Sequence, residues 1–255
     1  MISRFLTLPN PLGAEILKTL WPFFCFFGGK WRMAPRYPAP KNKILIEPFA
    51  GSAGYSLRYP DKRVRLYDID EHILGVWDFL IHAPELEVMS LPLKVTNTGD
   101  LLDITQEARW LIGFWLNKGT VSPRRSPSKW MRDGWRPGSF WGEKIRHRIA
   151  SQQKYIRHWE ISKSSYENIP DIHATWFIDP PYSGPAGRKY RKNNIDYPHL
   201  ADWSRSRSGQ VIACENEGAD WLPFSFLHAS KGLEGKYGRK ISREACWLND
   251  DTRYY

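Results

Sequence analysis

The sequence predicts an α/β fold with a mostly parallel sheet, interrupted by one basic insertion. Short β-rich runs alternate with stretches of helical periodicity, which is the pattern of strands joined by crossover helices. Three of those runs end in an acid, at Glu47, Asp68 and Asp179, and ligands in such folds collect at the carboxyl ends of strands. One segment, 118–158, departs from the alternation and carries eleven Lys and Arg against two acids, most of the chain's net charge of +10.

The elements read in order. Lys43–Glu47 is a buried strand followed by a Gly-rich turn. Arg63–Tyr67 is a second strand, ending at Asp68; Asp70 then caps a helix over Glu71–Ile81. Thr105–Asn117 is helical, with Ala108, Leu111, Ile112, Trp115 and Leu116 on one broad face. Ala174–Ile178 is a third strand, Gln210–Cys214 a fourth, and Glu244–Leu248 a late edge strand. This divides the chain into a core of 1–104 and 159–255 and an insertion of 105–158.

Composition narrows the function. The chain has 255 residues, enough for one large α/β domain. Its basic balance favours a polyanionic partner, most commonly nucleic acid. Cys25, Cys214 and Cys246 are few and far apart, which argues against a disulfide framework or a metal site and for a reducing compartment. The apolar stretch Leu20–Phe27 is too short to span a bilayer, contains Pro22 and runs into Gly28-Gly29-Lys30, so it reads as buried structure bordering a site. With no targeting signal the expected location is the cytoplasm, and a monomer is the default. The first twenty residues or so match nothing and read as a lead-in.

The strongest chemical signal is Asp179-Pro180-Pro181-Tyr182 at the end of the third strand. An aromatic amine is a poor nucleophile because its lone pair is delocalised. A carboxylate accepting one N–H, and a rigid backbone carbonyl accepting the other, draw the nitrogen toward tetrahedral geometry. Two prolines fix φ and present a carbonyl that no ladder consumes. Tyr182 would stack on the base, which must leave the duplex to be reached. Upstream, Gly51 and Gly54 let the backbone approach a ligand.

These motifs give a resemblance. Asp179–Tyr182 is similar to the catalytic motif of the DNA adenine-N6 methyltransferases related to the bacterial DNA adenine methylase. Phe26-Phe27-Gly28-Gly29-Lys30 resembles that family's N-terminal Trp-x-Gly-Gly-Lys, with Phe26 in place of Trp and so without an indole N–H. Glu47-Pro48-Phe49-Ala50-Gly51-Ser52-Ala53-Gly54 resembles its Gly-rich loop, and Tyr67-Asp68-Ile69-Asp70 its second acidic strand end. The resemblance implies a Rossmann-like S-adenosylmethionine-dependent methyltransferase core with a small inserted target-recognition region. It implies S-adenosylmethionine as methyl donor, no metal, double-stranded DNA as substrate, and a prokaryotic or phage-encoded enzyme. The cofactor would meet Phe26, Phe27, Gly28, Lys30, Glu47, Pro48, Phe49, Gly51, Ser52, Gly54 and Asp179. Lys30 would face its carboxylate, Asp68 its ribose, and Ser165 and Tyr166 its adenine.

The basic segments fit DNA. Arg124, Arg125, Lys129, Arg132 and Arg136 can neutralise phosphates, and Trp130 and Trp135 can stack on bases or wedge between them. Arg188, Lys189, Arg191 and Lys192, just after the catalytic motif, would hold the backbone beside the flipped nucleotide, with Gly184 and Gly187 letting that loop move. The bland alternative is a solvated loop stapled to the core by its tryptophans. Three functions compete: transfer to adenine N6, transfer to cytosine N4 or RNA, and a catalytically silent DNA-binding module on the same fold. Asp179 favours the first, because related cytosine-N4 enzymes usually carry Ser there; Phe26 in place of Trp is the best support for the last.

Overall fold

The computed structural model describes residues 19–235 and 238–249; nearly all of the lead-in expected over the first twenty residues or so lies outside them. Seven strands form one sheet in the order β3-β2-β1-β4-β5-β7-β6. They are β1 Ile44–Glu47, β2 Arg63–Asp68, β3 Glu160–Lys163, β4 Ala174–Ile178, β5 Gly209–Asn216, β6 Ser225–Gly235 and β7 Gly238–Leu248. β1 to β5 are parallel, and β7 runs antiparallel to both β5 and β6. The helices are α1 Glu71–His82, α2 Glu85–Ser90, α3 Gln106–Trp115, α4 Lys129–Arg132, α5 Glu143–Gln153 and α6 Tyr197–Arg205. The result is a Rossmann-like, methyltransferase-type α/β fold, as expected.

Alternation along the strands builds two cores. All five residues of β4 are buried. Trp176 and Ile178 join Ile46, Val211 and α6 on one face. Phe177 joins Leu45, Ile212, α1, α3 and α5 on the other. Phe177 stacks on Tyr55 at 4.1 Å between ring centroids and meets Tyr37 edge-on at 5.2 Å. Within 105–158, α3 and α5 pack into this second core, and Trp141 is buried with its indole N–H donating to the Pro92 carbonyl at 2.7 Å. The segment that stands out from the core is the stretch between them, where 129–138 is almost wholly exposed.

Asp70 caps α1, its carboxylate accepting from His72 N at 2.9 Å, and Thr105 caps α3. One expectation fails: Glu244–Leu248 is not an edge. It belongs to an eleven-residue β7 enclosed between β5 and β6. β6, with Ser, His and Lys among its residues, has no apolar run to announce it, and neither does the edge strand β3. The three cysteines are free thiols. Among the described residues no helix is long and apolar enough to cross a membrane.

β1 and β4 are neighbours, yet the chain leaves β1 toward β2 on one side and reaches β4 on the other. That is a topological switch point, where the ends of adjacent strands part and leave a crevice. Removing the ring that packs the underside of this point, Phe177→Ala, lowers folding stability by about 3–5 kcal/mol, read as a reduced urea midpoint.

Candidate active site

A cleft opens at the carboxyl ends of β1, β2 and β4. Its lining includes every residue expected on the cofactor: Phe26, Phe27, Gly28, Lys30, Glu47, Pro48, Phe49, Gly51, Ser52, Gly54, Asp68, Ser165, Tyr166 and Asp179. One end is shaped by the Gly-rich turn after β1. Gly51 has φ +44° and Ala53 φ +48°. At Gly54 a Cβ would stand 2.4 Å from the Trp31 backbone nitrogen, so the turn and the N-terminal segment can nest only with glycine there. Asp68 pins this turn to β2: its carboxylate accepts from Gly51 N at 3.1 Å, Asp70 N at 2.9 Å and Ile69 N at 2.8 Å. Burial pushes the Asp68 carboxyl up to about 6 against these hydrogen bonds. Glu47 turns to Ser56, accepting from its N–H at 2.8 Å and its hydroxyl at 2.5 Å, and burial pushes it up to about 8. Phe49 and Tyr166 stand 5.6 Å apart, two aromatic faces on the lining.

The chemistry concentrates around Lys30. Its ammonium is buried and lies 2.7 Å from Asp179 Oδ1, donating also to the Gly28 carbonyl at 3.1 Å. Glu244, from β7, brings a second carboxylate to 3.8 Å. Although burial opposes it, Asp179 and Glu244 hold the Lys30 charge and push its pKa above the ordinary range. Burial pushes Asp179 up to about 6, with Lys30 opposing. Pro181's carbonyl accepts from the Tyr197 hydroxyl at 2.6 Å, whereas among the described residues no hydrogen bond reaches the carbonyl of Pro180. Asp179 Oδ2 is likewise free of partners there, so the site presents one carboxylate oxygen and one carbonyl close in sequence, as the proposed amine chemistry requires.

Tyr182 departs from expectation. It does not line the cleft. Its ring packs against the core with Lys30 Nζ 4.6 Å from its centroid, and its hydroxyl donates to Glu244. The buried carboxylate, itself needing donors, draws the phenol inward. In the loop after β4 the aromatic ring that does face the cleft is Tyr190, whose hydroxyl donates to the Phe27 carbonyl at 3.0 Å and whose ring lies 5.8 Å from Phe26 and 5.6 Å from Phe27. Gly28, at φ +73°, makes room: a Cβ there would sit 2.2 Å from the Tyr190 hydroxyl.

Tyr190 belongs to the second basic run, which lies across the cleft as a strap. Arg191, expected on DNA, instead pairs with Asp70 and Glu71, each at 3.0 Å, and with Lys192 lines the cleft. Arg188 and Lys189 are exposed. The insertion's charge also divides. Arg146 donates to Leu91 O at 2.8 Å, and Arg157 donates to Ile81 O and Ala83 O at 2.5 and 2.6 Å, satisfying carbonyls at the end of α1. Arg124, Arg125, Lys129, Arg132 and Arg136 are all exposed, beside Trp130 and Trp135, whose rings lie 5.5 Å apart. Glu244 and Tyr190 are not evident from sequence. Glu244's only signal is an acid leading into an apolar strand, and Tyr190 is hidden inside a run of Arg and Lys.

No protein-family model matches the sequence, and no curated protein does. Solved structures give distant likenesses. A Thermoplasma acidophilum protein is 10% identical over 82% of this chain and 79% of its own, with a TM-score of 0.35. A conserved hypothetical protein of Streptococcus pyogenes is 10% identical over 86% of this chain and 93% of its own, at 0.33. The glycopeptide N-methyltransferase MtfA, in complex with S-adenosyl-L-methionine, is 9% identical over 96% of this chain and 84% of its own, at 0.34. At these values the functional reading rests on the site itself.

Lys30→Met leaves two carboxylates without their cation and destabilises the fold by about 3–5 kcal/mol. Adding Asp179→Asn returns part of that loss in a double-mutant cycle. The sign with pH follows from Asp179. Its folded-state carboxyl, raised to about 6 with Lys30 present, rises further without it. Below about 6 both folded proteins hold this proton and lose stability alike, so the variant's extra destabilisation deepens only as pH climbs above about 6, where wild-type Asp179 ionises and the variant's does not. Urea titrations at several pH values measure it.

Proposed function

We propose that this protein transfers a methyl group from S-adenosylmethionine to N6 of an adenine flipped out of double-stranded DNA. The observation that carries the reading is Asp179 at the cleft, with one carboxylate oxygen held by Lys30, the other free, and the free carbonyl of Pro180 next to it in the chain. The donor set suits the cofactor. The Gly-rich turn allows close approach, Asp68 ends its strand where ribose hydroxyls need an acceptor, and Phe49 and Tyr166 offer faces for an adenine. Phe26, Phe27 and Tyr190 wall the cleft near Gly28. Bound there, the donor supplies an electrophilic methyl on a sulfonium.

The chain's own residues do the rest. Asp179 Oδ2 and the Pro180 carbonyl accept the two amine hydrogens, pulling the nitrogen out of conjugation so that its lone pair faces the methyl. The N–C bond forms as the S–C bond breaks, the bonding pair stays on sulfur, and the amine's surplus proton leaves through Asp179 toward solvent. Lys30 fixes the Asp179 rotamer. The exposed arginines, Lys129 and the Trp130–Trp135 pair form the DNA-facing surface, where ion pairing with phosphates supplies affinity. Arg188 and Lys189 extend that surface toward the cleft.

Asp179→Ala abolishes methyl transfer from labelled cofactor while DNA binding persists, and unchanged transfer would sink the mechanism. Identifying the modified nucleoside separates adenine N6 from cytosine N4, and RNA substrates test the third acceptor. No labelling of any nucleic acid, together with no cofactor binding, would favour the silent module. Because only ionised Asp179 accepts the amine hydrogen, kcat/KM falls as pH drops through about 6. Replacing Arg124, Arg125, Lys129 and Arg132 together by Ala weakens DNA binding and flattens its salt dependence, by roughly 0.9 in the log–log slope for each phosphate that is no longer neutralised.

A further inference from the structure

Glu244 is a carboxylate of the Lys30 network that the cleft does not reach. It is 6% exposed, and it stands on β7 beside Asn216 of β5. Its Oε1 accepts from the Tyr37 hydroxyl at 2.7 Å and from the Tyr182 hydroxyl, and lies 3.8 Å from Lys30 Nζ. Buried carboxylates are expensive and persist only when paired or well hydrogen-bonded. Here one ammonium serves two of them.

The groups around Asp179 can be named element by element. The N-terminal segment supplies Lys30 and Tyr37, β1 supplies Glu47, β5 supplies Cys214 and Glu215, β7 supplies Glu244, and the loop after β4 supplies Tyr182 and Tyr190. Burial keeps the Cys214 thiol and the Tyr37, Tyr182 and Tyr190 phenols neutral, and Glu47, pushed up to about 8, is protonated at neutral pH. Glu215 is fully buried but has its own donors: Ser183 N at 2.9 Å, Trp221 Nε1 at 3.1 Å and Asn216 N at 2.8 Å. Among the described residues, Lys30 is therefore the buried ammonium that stands against both Asp179 and Glu244, with Glu215 a further acid close by, while Arg191 at the rim is already paired with Asp70 and Glu71.

We infer that Glu244 is a positioning residue that does two things: it leaves the site with an uncompensated negative charge, so that the cleft prefers a cationic ligand at the methyl-donor position over its neutral counterpart, and it tethers Tyr182 out of the cleft. The preference rests on the donor reading given above. It would help release product, because the sulfonium becomes a neutral thioether once the methyl has left. The charge acts at short range in a low-dielectric pocket, where removing it changes binding of a cation far more than binding of a neutral molecule.

The test uses two stable ligands: sinefungin, whose amine is cationic where the donor carries its sulfonium, and S-adenosylhomocysteine, which is neutral there. Calorimetry on the full chain at neutral pH gives the ratio of their dissociation constants. Wild type favours sinefungin, and Glu244→Gln, which keeps an acceptor for both phenols, reduces that ratio by about tenfold or more through weaker sinefungin binding. Glu244→Asp restores it. An unchanged ratio in Glu244→Gln, with both ligands still bound, overturns the inference alone. If wild type binds neither compound, the donor reading fails and the cation preference fails with it. A ligand-free measurement separates the two: in ¹³C carboxyl spectra the titration midpoint of Asp179 moves down in Glu244→Gln, because a neighbouring negative charge has been removed. No movement overturns the role assigned to Glu244 whatever the cleft binds.

Discussion

The buried pair between Lys30 and Asp179 is the constraint on which the site depends. A lysine ammonium placed where water cannot solvate it must find carboxylates, and the only route is for the N-terminal segment to lie over the end of β4. That placement carries Phe26, Phe27 and Gly28 to the cleft wall and nests Lys30 and Trp31 against Gly54 in the turn after β1. One ion pair 149 residues apart in sequence thereby joins the N-terminal segment, and the Gly-rich turn it nests against, to the end of β4.

Charge in this protein is sorted by depth. At the bottom, Lys30, Asp179 and Glu244 share a small buried network of one ammonium and two carboxyl groups. At the rim, Arg191 spends its guanidinium on Asp70 and Glu71, and in doing so holds Tyr190 across the opening. On the outside, the arginines and tryptophans of the insertion are exposed and contact one another or their own loop, as Arg132 does with the Pro127 carbonyl and Arg136 with the Trp135 ring. The same residue type therefore serves three purposes, and only its surroundings tell which. Arg157 closes the end of α1, Arg191 straps a loop, and Arg132 faces solvent.

Much was legible in the chain because it is written in local patterns. Short apolar runs mark β1, β4 and β5, alternation of polar and apolar residues marks β2, and an Asp before a periodic stretch marks the start of α1. The order of strands and helices sufficed for the parallel sheet, and the acids at strand ends located the cleft. These are short-range properties: a strand's burial and a turn's φ angles are decided within a few residues.

The tertiary structure decided what depends on meetings between distant segments. β6 and β3 lack an apolar signature because each lies at a sheet edge, so only pairing reveals them. Tyr182 and Tyr190 are both aromatic residues in the loop after β4, and sequence ranks the motif member first. Glu244 reverses this, because a buried carboxylate recruits the nearer phenol and turns it inward. The residue types, and the chemistry they could perform, were thus determined by the sequence itself. Which ring faces the cleft, which arginines are spent internally, and how many acids share one lysine were decided by packing, because the cost of burying a charge depends on everything around it.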